Sequence, residues 1–230
     1  MQSLIATRAE RFSNSVQHAA YHLARGSNDD LVETIEMIGT DVPFAKGGQI
    51  YGEGEPSVYF YKITSGLARC FRMTPDGRRQ IVVFYVPGDL FGFEVGDRHT
   101  LSVEAITDCR VCLIKRASVI NAAAHDHVMA RELWMNISRE IRRGQEHILQ
   151  FGRPACARVA SFLLEMVQRI PTANAKVLTI SRQDIADYLD LRIETVSRAM
   201  ARLARAGAIA PSSRRKITIR DPEALHQVAD

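Results

Sequence analysis

Glu194, Ser197 and Arg198 stand at i, i+3 and i+4, so on a helix they share one face. A carboxylate, a hydroxyl and a guanidinium fork placed that way can read base edges in a DNA major groove. The fork bonds guanine at O6 and N7, the carboxylate accepts from the amine of cytosine or adenine, and the hydroxyl serves either role or touches thymine. Donors suited to phosphate lie on either side: Ser181, Arg182, Arg192 and Arg202, then Ser212, Ser213, Arg214, Arg215 and Lys216. Such contacts add affinity without carrying sequence information. Taken alone, the triad is also compatible with an ordinary solvated helix face, and the 212–216 cluster with a solvated hairpin tip, so the surrounding elements must decide.

Those elements are legible. Ile185, Leu189, Val196, Met200 and Leu203 fall at helical spacing on either side of a break at Asp190 and Leu191, which predicts two short amphipathic helices and a tight turn. Ser181 is the expected N-cap, with Asp184 three residues on as a weaker capping box, so the first helix is predicted over about 182–189. Small Ala186 lets the helices cross closely. Asp190 can take the left-handed conformation the turn requires, because its short side chain bonds locally. The second helix is predicted to begin near Ile193 and to stop before Gly207. This is a helix-turn-helix, whose second helix presents its N-terminal residues to the groove. PACARVASFLLEMVQRI, upstream, is predicted to pack behind it. AGAIAPSSRRKITIRD, downstream, reads as two short strands joined by a basic turn, a wing.

DIADYLDLRIETVSRAMARL resembles the DNA-reading motif of the Crp/Fnr superfamily of bacterial transcription regulators, and ETVSR resembles its Fnr and FixK branches. The Crp branch has a small residue where Ser197 stands. The resemblance implies a palindrome of TTGA-like half-sites read by Glu194, Ser197 and Arg198. It also implies a homodimer, recruitment of RNA polymerase, and promoters serving low-oxygen respiration or nitrogen metabolism. Arg192 departs from the pattern, since relatives usually carry a Ser or Thr cap there; it is expected to reach a phosphate instead. Some FixK-type relatives have Cys where Ser181 stands, so an oxidation switch at that position is not available to this chain.

At 230 residues, 46% hydrophobic and 24% charged, the chain is long and apolar enough for two modest cores and is not a disordered polymer. No leader-like segment or apolar run near 18 residues is evident, so a cytoplasmic, soluble protein is expected, with its four cysteines as thiols. The net charge of +4 hides an asymmetry. Residues 1–151 carry 17 Lys and Arg against 18 Asp and Glu, and residues 152–230 carry 13 against 8. The basic third holds the helix-turn-helix, which suits a phosphate-binding module on a sensor or dimerisation body.

Residues 1–24 are expected to form a loosely packed arm. From about 42 to 116, short apolar alternations broken by turn residues predict a β-roll or jelly roll, with Pro75, Asp76 and Gly77 joining ARCFRM to QIVVFYV. This matches the sensory roll of the same superfamily. Three kinds of site make different demands on such a roll. Cyclic-nucleotide receptors hold the phosphate with a G-E-L loop followed by R-S or R-T, whereas GDLFGFEVGDRHTLS has Phe93 after Gly92 and His99 after Arg98, so that pocket is expected to be dismantled. A cupin-type metalloenzyme needs about three histidines, and His99 is the one histidine between 42 and 116. Fnr holds an iron-sulfur cluster on cysteines that begin before the roll, and the first cysteine here is Cys70. Cys109 and Cys112, three apart on a strand, face opposite ways and cannot jointly grip a metal; Cys112 is expected to be a small core residue. No enzyme activity and no cofactor is therefore expected. An effector-gated regulator, with a small ligand or haem in the roll, is the alternative.

Trp134, Ile137, Ile141, Gly144, Ile148 and Phe151 alternate by three and four, a coiled-coil seam of nearly three heptads. The seam could lie against its own roll, particularly near Trp134, or against a second copy; the family's dimerisation through the equivalent helix favours the copy. Gly152, Arg153 and Pro154 break the helix and mark a hinge. The expected α+β chain is thus an arm (1–24), a cyclic-nucleotide-binding-like β-roll (25–125), a dimerisation helix (126–151) and a winged helix-turn-helix (152–230).

Overall fold

A computed structural model describes residues 39–170, 177–210 and 216–229. The predicted arm, and the side chains of Ser212, Ser213, Arg214 and Arg215, lie outside the described residues.

Eight antiparallel strands form two four-stranded sheets. One has the order β1 (Thr40–Phe44), β8 (Cys109–Lys115), β3 (Tyr59–Ser65), β6 (Leu90–Phe91). The other runs β2 (Gln49–Tyr51), β7 (Ser102–Ala105), β4 (Ala68–Met73), β5 (Arg79–Tyr85). The sheets enclose a core built from both: Tyr61, Ile63, Phe91, Cys109 and Val111 meet Tyr51, Ala68, Cys70, Tyr85, Val103 and Ala105. This is the predicted roll. Strand alternation separates Cys109, in this core, from Cys112, which faces a second cluster with Phe60, Leu90, Ile114 and Val119. Burial pushes the Cys70 thiol up to about 12 and also raises that of Cys109, so neither is a thiolate at neutral pH.

Both outer faces of the roll are covered. Helix α1 (Arg116–His125) and the start of α2 (His127–Gln150) close the first sheet, through Val119 and Leu133. Asp126 caps α2, its carboxylate accepting from the amides of Val128 and Met129. The second sheet meets the C-terminal region through β5. A register shift between Cys70 and Phe71 leaves Val82 unpaired, as in a β-bulge. Ile81 and Phe84, three apart, consequently turn to the same side and join Phe162, Leu163, Ile185 and Tyr188 in one continuous core.

The C-terminal region is organised on α3 (Ala155–Arg169), buried along most of its length. Against it pack α4 (Arg182–Leu189), α5 (Ile193–Arg205) and α6 (Pro222–Ala229). A small antiparallel sheet pairs β9 (Val177–Leu178) with β10 (Ile217–Thr218), and Ile209 bridges Ile219. β10 thus belongs to the predicted wing, but β9 and α6 carried too few periodic residues to be singled out from sequence.

Candidate nucleic-acid interface

The predicted helix boundaries coincide with α4 and α5. The Ser181 hydroxyl accepts from the Asp184 amide (3.0 Å) and donates to the Asp184 carboxylate (2.6 Å). That satisfies an amide with no partner inside the helix and orients the carboxylate. Removing it in Ser181→Ala is expected to cost about 1 kcal/mol of stability, read as a shift in the urea midpoint at constant slope.

Asp190 ends α4 in the left-handed region, at φ 48° and ψ 52°, and the Leu191 amide returns to the Ala186 carbonyl. Arg192 precedes α5 without a side-chain cap, and Gly207 follows it at φ +78°. Val196, Ala199, Met200 and Leu203 are buried on one side of α5. Glu194 and Arg198 are exposed and Ser197 half-exposed on the other, with Arg192 and Arg202 also exposed. Arg198 Nη2 donates to the Thr195 hydroxyl at 3.3 Å, which holds the fork along the helix. Ser181 and Arg182 are half-buried at the start of α4, and Lys216 is exposed at the edge of β10. A cleft of about 1010 Å³, bounded by Met73, Arg78, Arg192 and Glu194, separates the β4–β5 hairpin from the start of α5. The roll therefore does not cover the reading end of the helix.

The apolar stripe of α2 is open. Trp134, Ile141, Ile148 and Phe151 are 69, 57, 66 and 43% exposed, Ile137 is half-exposed, and a Cβ added at Gly144 would meet nothing within 4 Å. Trp134 does not pack against its own roll, so that alternative is excluded for this face. The adjoining side of α2 is attached to the roll: Glu140 accepts from the Tyr85 hydroxyl at 3.2 Å, and Arg143 lies 3.2 Å from Asp89.

Inside the roll, His99 stacks on Tyr51 (centroids 3.7 Å apart) and its Nε2 lies 3.4 Å from the Tyr61 hydroxyl. Tyr61 in turn stacks on Phe91 at 5.4 Å, and Phe91 on Tyr85 at 4.2 Å. A cyclic phosphate would need a fixed arginine facing this interior, but Arg98 is exposed and donates to the Gly54 carbonyl at 2.6 Å. Glycine at 92 serves close packing, since a Cβ there would come 2.8 Å from the Tyr61 ring. The residues present do not fit a cyclic nucleotide. Among the described residues, no three His, Cys, Asp or Glu side chains come together as metal ligands, and no helix is long and apolar enough to cross a membrane.

Burial lowers the pKa of His99, and burial together with the Arg158 charge lowers that of His147, which stacks on Tyr188 at 4.2 Å. Unfolding returns each ring to its ordinary value near 6.5. The unfolded chain then binds more protons as the pH falls below that value, so stability is full above it and lost toward pH 5.5. Thermal unfolding at pH 7.5 and 5.5 is expected to show this, and His147→Phe, which keeps the stack, is expected to lessen the drop.

Sequence reasoning missed the attachment of α4 to the roll. Arg69 Nη1 and Arg79 Nη2 lie 2.5 and 2.7 Å from Asp184 Oδ1, and Arg79 also pairs with Asp187 at 2.8 Å. No local pattern links residues more than a hundred positions apart.

Residues 41–126 match the cyclic nucleotide-binding domain family and residues 157–228 the Crp-like helix-turn-helix domain family. The nitrogen fixation regulation protein FixK of Azorhizobium caulinodans is 38% identical over 222 residues, covering 94% of this chain and 90% of that protein. Its namesake in Rhizobium meliloti is 37% identical, covering 81% and 86%. The structure of FixK2 from Bradyrhizobium japonicum superimposes with a TM-score of 0.77 at 42% identity, covering 84% of this chain and 98% of that one. These relatives are regulators and not enzymes. With its roll, its helix-turn-helix and this likeness along nearly all its length, the chain belongs to the Crp/Fnr family of DNA-binding transcription regulators, among the FixK-type proteins.

Proposed function

We propose that the protein acts in the cytoplasm as a homodimeric activator that binds a TTGA-N6-TCAA-like palindrome and recruits RNA polymerase to genes of low-oxygen respiration or nitrogen fixation. The observation that carries this reading is the outward face of α5, where Glu194, Ser197 and Arg198 stand opposite a fully buried apolar side. In this reading Arg198 bonds a guanine, Glu194 accepts from a base amine, and Ser197 completes the half-site. Ser181, Arg182, Arg192, Arg202, Lys216 and the 212–215 turn meet the phosphates. The exposed seam of α2 joins two copies, so the two-fold axis of the protein falls on that of the operator. The domain limits follow the same division: an arm to 24, the roll to 125, the dimer helix to 151 and the reading domain from 152.

The aromatic filling of the roll favours a protein competent without an effector. Fluorescence anisotropy at fixed salt, comparing a TTGA-N6-TCAA duplex with a scrambled one, with and without cyclic AMP, tests it. Tight specific binding without additive is expected. Equal affinity for both duplexes would refute the base-reading assignment, and binding that required cyclic AMP would refute the effector-independent one.

A further inference from the structure

The first helix of the helix-turn-helix is tied to the roll by a small ionic cluster, part of which lines the cleft that Arg192 and Glu194 border. Asp184, with a side chain 4% exposed, receives Arg69 from β4 and Arg79 from β5 on one oxygen, at 2.5 and 2.7 Å. Arg79 places both Nε and Nη2 on Asp187 Oδ2, at 3.0 and 2.8 Å, and Gln183 holds the other Asp187 oxygen at 2.6 Å. Arg69 is oriented in turn by Glu104 on β7, at 3.0 Å. Asp184 and Asp187 are both on α4, which the short left-handed turn at Asp190 connects to α5.

The covalent connection between the seam helix and the reading domain is short and permissive, since it runs through Gly152. Several non-covalent routes reach the reading domain. From α2, Glu140 bonds the roll at Tyr85 and His147 stacks directly on Tyr188 of α4. From the roll, the apolar core around Ile81 and Phe84, the Asp89–Arg169 pair and the two arginines meet α3 and α4. Apolar contact is non-directional, whereas a fork bonded at two points fixes an orientation.

We infer that Arg69 and Arg79, clamped on Asp184 and Asp187, are positioning residues that fix the distance between the two α5 helices of the dimer and so determine which half-site spacing the protein accepts. They touch no base, and their effect is on spacing and not on half-site sequence. This inference rests on the palindrome-binding reading above.

The test measures affinity for duplexes carrying the same TTGA half-sites separated by five, six or seven base pairs. Wild-type protein is expected to prefer one spacing strongly. Arg79→Ala is expected to narrow that preference by about tenfold, with discrimination against a scrambled half-site kept. The exchange Arg79→Asp with Asp187→Arg is expected to restore much of the preference. Should Arg79→Ala unfold, Arg79→Lys, which keeps the charge but loses the fork, is read in its place and is expected to narrow the preference less. Loss of affinity in equal proportion at all three spacings, with the preference unchanged, would show a merely structural role and overturn the inference. A wild-type protein indifferent to half-site sequence would overturn the reading beneath it, and one that reads the half-site but ignores spacing would overturn the inference alone.

Discussion

Replacing Ile141 and Ile148 together by aspartate is expected to give a folded monomer that binds a two-half-site duplex about 10²–10⁴-fold more weakly than the parent. Both side chains are more than half exposed within one chain, so the substitutions remove no intramolecular core and thermal unfolding of the monomer should change little. In a seam between two copies, the same positions are buried, and facing carboxylates would have to be desolvated without partners. The loss in affinity follows from linkage. A dimer binds its second half-site intramolecularly, at an effective concentration in the millimolar range, and a monomer forfeits that gain without losing any base contact. Sedimentation and anisotropy on the same samples check it. A variant that remains dimeric would remove the α2 seam from the interface, and a monomer with undiminished affinity would mean that one half-site suffices.

Arg198→Ala is expected to cost roughly 1–3 kcal/mol on the matched operator and to flatten discrimination at one base pair, because a bidentate guanine contact is lost there and nowhere else. The arginine is exposed and donates to the Thr195 hydroxyl at 3.3 Å within its own helix, so its removal is expected to leave the fold intact. Lys216→Ala is the contrasting case. A phosphate contact carries no sequence information, so all duplexes should weaken alike and the salt slope should fall by about 0.9. Competition with single-base variants of the half-site at two salt concentrations separates the two behaviours. Uniform weakening by Arg198→Ala would assign that residue to the backbone.

What could be read from the sequence was local. The bounds of α4 depend on Ser181, Asp184, Asp190 and a four-residue apolar period, all within about ten positions, and each acts through geometry that a short segment carries with it. The β4–β5 hairpin was legible for the same reason, from Pro75, Asp76 and Gly77 between two alternating runs. The outward placement of Glu194, Ser197 and Arg198 follows from spacing alone once α5 exists.

Other features needed the assembled chain. A one-sided apolar stripe on α2 is equally consistent with burial on the roll or on a second copy, and only the exposure of Trp134 in the folded chain excludes the first. The strand at Val177–Leu178 is two residues long and is defined by its partner some forty positions away. Arg98 and His99 are neighbours in sequence, but at the isolated bridge between Pro56 and Arg98 the fold sends one to solvent and the other into an aromatic stack, so the arginine does not face the interior of the roll. Sequence by itself thus determined most of the elements, the outward placement of Glu194, Ser197 and Arg198 and the family likeness, because capping, turn conformation and periodicity are short-range. Tertiary structure alone decided how α4 is moored, since Arg69, Arg79, Asp184 and Asp187 interact only when folding brings β4, β5 and α4 within hydrogen-bond reach.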